Sequence, residues 1–184
     1  MKILAVKADK IGSRIIRWGL DEPASHLAIA FKDCATVHSY LDKGVVEVST
    51  KKVAAFYKCV AYVDMPVSDE MVFKDSLLSK VSGVKYDVPS FLYFGFCAAR
   101  KKLLGVPFPK TNAFDSRGKF ICTELLYAIS ETYAEMGGEL ILFDDKSLAI
   151  TTPMEAVETM GRSLNVPVVR QGSGVIDLSL FLQA

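Results

Sequence analysis

The 184-residue sequence predicts one α+β domain, a small antiparallel sheet packed against helices. Three observations predict it. Between residues 27 and 63, short apolar and β-branched runs alternate with turn residues. Before and after that block, apolar residues recur at helical spacing. No internal repeat, low-complexity linker or shift of composition divides the chain, so residues 1–184 are read as a single domain.

Residues 2–6 read as a short strand. Asp9 is then placed to cap a helix running through Trp18, because Ile11, Ile15 and Trp18 recur along one face. Asp21-Glu22-Pro23 breaks that helix. The continuous apolar run 27–31 suits a strand buried on both faces. Residues 36–41 and 45–49 are strand-like and joined by a turn at Asp42-Lys43-Gly44. A short helix over 51–57 precedes a strand at 59–63, which Pro66 ends. A helix opens near Ser68 and runs to about Ser82, followed by a loop at 84–89. Ser90 is placed to cap an apolar helix that reaches about Leu104, and 105–118 is loop-like. Leu126, Ile129, Tyr133 and Met136 form a helical stripe that starts near Cys122 and stops at Gly137-Gly138. Thr152 caps a further helix over 153–161 with Pro153 in its first position, and 175–182 reads as a last strand.

The composition, 51% hydrophobic and 23% charged, is that of a globular chain. With 22 basic and 21 acidic residues and no long run of one sign, it makes no electrostatic case for nucleic acid. The apolar run 3–6 is too short for a secretory leader, and no stretch approaches the roughly 18 apolar residues of a membrane span. A soluble, cytoplasmic protein without a transmembrane segment is expected. None of the four cysteines forms a CxxC pair, and disulfides are not expected. Cys34, Cys59 and Cys97 read as small buried apolar residues.

Cys122 is different, because it alone stands where a helical pattern begins. Unpaired N–H groups and the helix dipole at such a position favour a thiolate. A thiolate nucleophile needs a base that titrates near neutrality, and only His26 and His38 are available. If their strands pair so that residue 28 faces 38, both imidazoles lie diagonally on one sheet face, within reach of each other. One histidine could then orient the other as a third catalytic member does. The same residue types, Cys122 with two histidines, could also ligate zinc, but no local ligand spacing supports a metal and none is assigned. Spacing alone does not separate these readings from inert core residues.

Four local strings add a resemblance. Ser25-His26-Leu27-Ala28-Ile29 resembles the Ser-His-hydrophobic-Gly-Ile strand of the permuted papain-like amidases, the YaeF/YiiX-like branch of the NlpC-type superfamily. Phe120-Ile121-Cys122-Thr123-Glu124-Leu125-Leu126 is similar to that family's Ile-Cys-Ser-Glu-Leu helix start. Lys85-Tyr86-Asp87 resembles its Tyr-Asp loop, and Thr151-Thr152-Pro153 its Thr-Pro helix start. The His-to-His pattern is also similar to the lecithin:retinol acyltransferase-like thiol acyltransferases, another permuted branch. Ala28 and Thr123 depart from the usual Gly and Ser, and His38 stands where the amidases often carry Glu.

The resemblance implies a circularly permuted papain-like fold, in which the base strand precedes the nucleophile helix. It implies Cys122 as nucleophile, His26 as base, His38 as the orienting residue and Tyr86 as a candidate oxyanion donor. The expected activity is a cysteine hydrolase or amidase, or an acyltransferase, working through a thioester without cofactor or metal. Its substrate would be a small-molecule, peptide or lipid acyl compound, of peptidoglycan type or otherwise. Two alternatives stay open: an isopeptidase acting on protein conjugates, and a non-catalytic binding module of the same fold.

Overall fold

Six strands, β1 (Lys2–Lys7), β2 (His26–Ala30), β3 (Ala35–Tyr40), β4 (Gly44–Ser49), β5 (Lys58–Asp64) and β6 (Val168–Arg170), pair antiparallel in the order β4-β3-β2-β1-β5-β6. The computed structural model describes residues 1–114, 119–140 and 148–170. Among the described residues, six α-helices accompany the sheet: α1 (Ile11–Leu20), α2 (Thr50–Phe56), α3 (Glu70–Val81), α4 (Val88–Leu104), α5 (Leu125–Glu135) and α6 (Pro153–Ser163). The architecture is therefore α+β, as the alternation of patterns predicts.

The middle of the sheet is covered on both faces, which explains the unbroken apolar run in β2. Ile3, Ala5, Leu27 and Ile29 point into the main core, where they meet Phe73 and Leu77 of α3, Leu126 and Ile129 of α5, and Val157 of α6. Leu4, Val6, Ala28 and Ala30 point the other way and pack with Val53 of α2. All five residues of β2 are buried. Removing one such Leu or Ile side chain typically costs about 2–5 kcal/mol.

A third cluster forms where α1 lies against α4, from Ile16, Leu20, Phe94, Ala98 and Ile150. The approach is close: a Cβ added to Gly19 would sit 3.0 Å from the Cβ of Ala98. The buried side of α1 is thus Ile16, Gly19 and Leu20. The stripe Ile11, Ile15 and Trp18, which marks this helix in the sequence, faces outward instead.

Several boundaries differ from the sequence expectation, each for a local reason. Lys10, not Asp9, occupies the N-cap of α1, and no side chain caps it. Asp69 rather than Ser68 caps α3, accepting from the Met71 and Val72 amides. The cap of α4 is Asp87, which accepts from the Ser90 amide and leaves Pro89 in the first turn, where its missing N–H is not needed. Cys122–Glu124 forms a 3-10 turn, and the α-helix proper begins at Leu125. Thr152 caps α6 as expected, in a reciprocal arrangement with Glu155. The sheet gains the short edge strand β6, which three residues of modest pattern did not announce. The expected strand at 175–182 lies outside the described residues, as does part of the loop at 105–118.

Candidate active site

The register places Ala28 opposite His38, the pairing that sets both imidazoles on one face. His26 Nε2 and His38 Nδ1 are 3.0 Å apart and share a hydrogen bond. The pair is buried, with His38 fully covered and His26 at 9% exposure. Burial penalises the charged imidazolium. It holds His26 down at about 3, helped by the neighbouring His38, and His38 down at about 4. Both rings are therefore neutral at pH 7. One nitrogen of the shared bond carries the proton and the other accepts it.

Tyr57, the residue after α2, closes the other side of His26. Its ring stacks on the imidazole with centroids 5.2 Å apart and an interplanar angle of 26°. Tyr40 packs against His38 at 4.2 Å. His38 Nε2 is buried without a hydrogen-bond partner. Sequence reasoning missed Tyr57, since nothing local marks it. It reaches His26 only because β5 joins the sheet two strands away from β2, beyond β1.

Cys122 arrives from the far side of the chain. The strip at 84–87 links the sheet edge to the segment before it. The Val45 amide donates to the Val84 carbonyl at 2.9 Å, the Phe120 amide to Lys85 at 3.1 Å and the Asp87 amide to Phe120 at 3.2 Å. Tyr86 and Phe120 thereby form a parallel bridge. Gly44, at φ +70°, makes this junction possible, because a Cβ there would lie 2.0 Å from the Val84 oxygen. The Cys122–Glu124 turn then packs against β2 and β3. Two buried side chains fix it: Glu124 accepts from the Ile121 amide at 2.7 Å, and Thr123 Oγ1 donates to the Leu148 carbonyl at 2.8 Å.

The Cys122 thiol lies beside β2, where the backbone of Leu27, the residue after His26, acts to lower its pKa. The backbone of Thr123 and of Cys122 itself acts in the same direction. These backbone groups favour a thiolate, as expected of a helix start. Burial outweighs them, the Glu124 carboxylate adds to it, and the thiol is pushed up to about 11. The expectation of a lowered thiol pKa therefore does not hold in this closed site. The cause is that Cys122 is only 7% exposed and begins a 3-10 turn, ahead of the helix whose dipole would favour a thiolate. The structure shows no hydrogen bond between the thiol and His26.

A small cavity adjoins the sulfur, lined by Ile16, Tyr86, Phe91, Phe94, Ile121 and Cys122 among others. Its volume is about 20 Å³, room for about one water. Tyr86, expected as an oxyanion donor, does lie against it, and burial raises its phenol well above the usual value. Phe91 and Phe94, from the aromatic run of α4, wall it as well, while Phe96 of the same run faces solvent.

The structure thus brings His26, His38, Tyr57, Tyr86 and Cys122 into one neighbourhood. All four cysteines are free thiols. Among the described residues, no three His, Cys, Asp or Glu side chains gather in a group that could hold a metal. None of the described helices is long and apolar enough to cross a membrane. No protein-family model matches the chain, and no curated protein gives a significant match to it.

Proposed function

We propose that the protein is a thiol acyl-transfer enzyme with a circularly permuted papain-like fold, in which Cys122 is the nucleophile, His26 the base and His38 the residue that orients His26. The observation that carries this reading is the 3.0 Å bond between His26 Nε2 and His38 Nδ1, formed on the strand against which the Cys122–Glu124 turn packs. The order of His strand before Cys turn, with Tyr86 beside the cavity, agrees with the resemblance.

In the reaction, His26 Nδ1 takes the thiol proton as sulfur attacks the acyl carbonyl carbon. That requires the tautomer in which His26 Nε2–H donates to His38 Nδ1. The C–S bond forms, and the carbonyl π pair moves onto oxygen. The Cys122 amide and the Tyr86 hydroxyl are the groups placed to receive it. Collapse of the intermediate breaks the bond to the leaving group, which takes the proton back from His26. Water or another nucleophile then cleaves the thioester with His26 again as base.

The resting site is neutral. Burial raises the thiol and lowers the imidazole, so moving the proton from sulfur to ring before attack is uphill. Proton transfer therefore accompanies attack, and no preformed ion pair waits for substrate. The apolar lining of the cavity favours a compact or lipid-like acyl group on an amide or ester. Such a group displaces Phe91 or Phe94 as it binds, because 20 Å³ does not hold it.

The same closed cavity and buried thiol favour a second reading, a non-catalytic binding module that retains the fold. Incubation with activated acyl esters and measurement of intact mass separates the two. A transient acyl adduct on Cys122 is expected, absent in Cys122→Ser. His26→Ala should lower the rate about 10²–10⁴-fold, the range for a lost general base, and His38→Gln less. Turnover that survives Cys122→Ser, or an adduct confined to the more accessible Cys34, would overturn the assignment.

A further inference from the structure

The amphipathic pattern of α1 is turned outward. Its exposed stripe consists of Ile11, Arg14, Ile15 and Trp18, at 76% exposure for Ile11, 52% for Ile15 and 49% for Trp18. These four residues line an open groove of about 360 Å³ along the helix. Positions 11, 15 and 18 are where a helix ordinarily meets its core. Here Ile16, Gly19 and Leu20 on the opposite side do so.

The neighbouring α4 repeats the arrangement. Leu92, Phe96 and Leu103 are 65%, 55% and 68% exposed, and they lie opposite its buried Phe94, Cys97 and Ala98. The Arg100 guanidinium rests 5.6 Å from the centre of the Phe96 ring. α1 and α4 pack side by side through Gly19 and Ala98, so the two outward stripes lie on adjacent helices.

Charge identifies what these stripes suit. α1 and α4 together carry Arg14, Arg17, Arg100, Lys101 and Lys102 and not one acidic residue, in a chain whose net charge is only +1. Two of these are engaged within the chain, Lys102 with Asp21, the acid that follows α1, and Arg17 with the Ala8 carbonyl, so the exposed cations left are Arg14, Arg100 and Lys101. A second copy of this surface would set cations against cations. Nucleic acid would leave the isoleucines and leucines without partners. An anionic bilayer satisfies both features, with acyl chains taking the Ile, Leu and Trp side chains and headgroups taking the Arg and Lys.

We propose that the outer face of α1 and α4 docks on the surface of an anionic phospholipid membrane. The inner sides of the same helices supply Ile16, Phe91 and Phe94 to the cavity at Cys122, so docking brings the roof of that cavity to the lipid. Docking is independent of the catalytic reading, because it is measured without turnover.

Trp18 is the only tryptophan, so the emission of the intact chain reports directly on this face. In buffer it should emit as an exposed indole and be quenched by acrylamide. Phosphatidylglycerol vesicles should shift the emission to the blue, protect it from quenching and sediment the protein, and added salt should weaken all three. Phosphatidylcholine vesicles should do far less. Ile11→Ser with Ile15→Ser, and separately Arg14→Glu with Lys101→Glu, should each weaken binding more than ten-fold while circular dichroism stays unchanged. Should either variant fail to fold, the lipid and salt dependence of the unaltered chain decides. Unchanged emission without sedimentation on phosphatidylglycerol overturns the proposal. So does a Trp18 already shielded in buffer, whether by this chain or by concentration-dependent self-association.

Discussion

Acidification should unfold this protein through its two histidines, and the size of the effect follows from their burial. An unfolded imidazole titrates near 6.5, whereas His26 and His38 are held at about 3 and about 4. Both folded values are depressed, so their contribution to stability is complete above 6.5 and is lost as pH falls from there towards 4 and 3. Between pH 6 and 5 the unfolded chain holds roughly 1.5 to 2 protons that the native pair refuses, which removes roughly 2 kcal/mol. The carboxylates held low in the native state, Asp33, Glu70 and Glu135, act mainly below that window and equally in variants. Since the chain has no other histidine, the window belongs to this pair. Urea titrations at pH 5, 5.5 and 6 measure it, with His26→Gln/His38→Gln as reference. The reference should lose most of the slope, and His38→Gln alone about half. Parallel stability curves for the unaltered protein and the double variant would refute the assignment of a buried neutral pair.

Two further outcomes follow from the supports of Cys122. Gly44→Ala should destabilise the fold by about 2–4 kcal/mol, read from the urea midpoint, because it combines a left-handed backbone with a clash against the Val84 carbonyl. Glu124→Gln should leave the Ile121 amide an oxygen to meet and remove the carboxylate charge beside the sulfur. The pH at which Cys122 becomes half-reactive towards iodoacetamide should then move down; an unchanged midpoint would show that the carboxylate does not act on the thiol.

Much of this architecture can be read from residue pattern, because strand period and turn chemistry are local. The run 27–31 announces a doubly covered strand, and the spacing of His26 and His38 implies their contact once the hairpin register is known. Thr152-Pro153 marks a helix start for the same reason. What pattern misses depends on partners far along the chain. Tyr57 reaches His26 through the sheet order, and β6 exists only as an addition to β5. Capping competition is also lost: Ser68 and Ser90 are as plausible chemically as the aspartates that fill those positions, and α1 starts after Lys10 although Asp9 is the better capping residue. The thiol is the instructive failure. A helix start predicts a favoured thiolate, whereas the depth of the site, which no local string encodes, governs the charge of the sulfur.

The bond between His26 and His38 closes a span of only 12 residues, while the sulfur lies 96 residues beyond His26. Chain-closure entropy grows with the logarithm of that span, so bringing Cys122 in costs about 2 kcal/mol more than closing the hairpin. Hairpins form within microseconds, and contacts of long span come later. During synthesis, His26 and His38 leave the ribosome well before Cys122 exists. A nascent chain therefore holds both histidines before Cys122 is made, and acquires the sulfur together with the core residues of α5 that bury it.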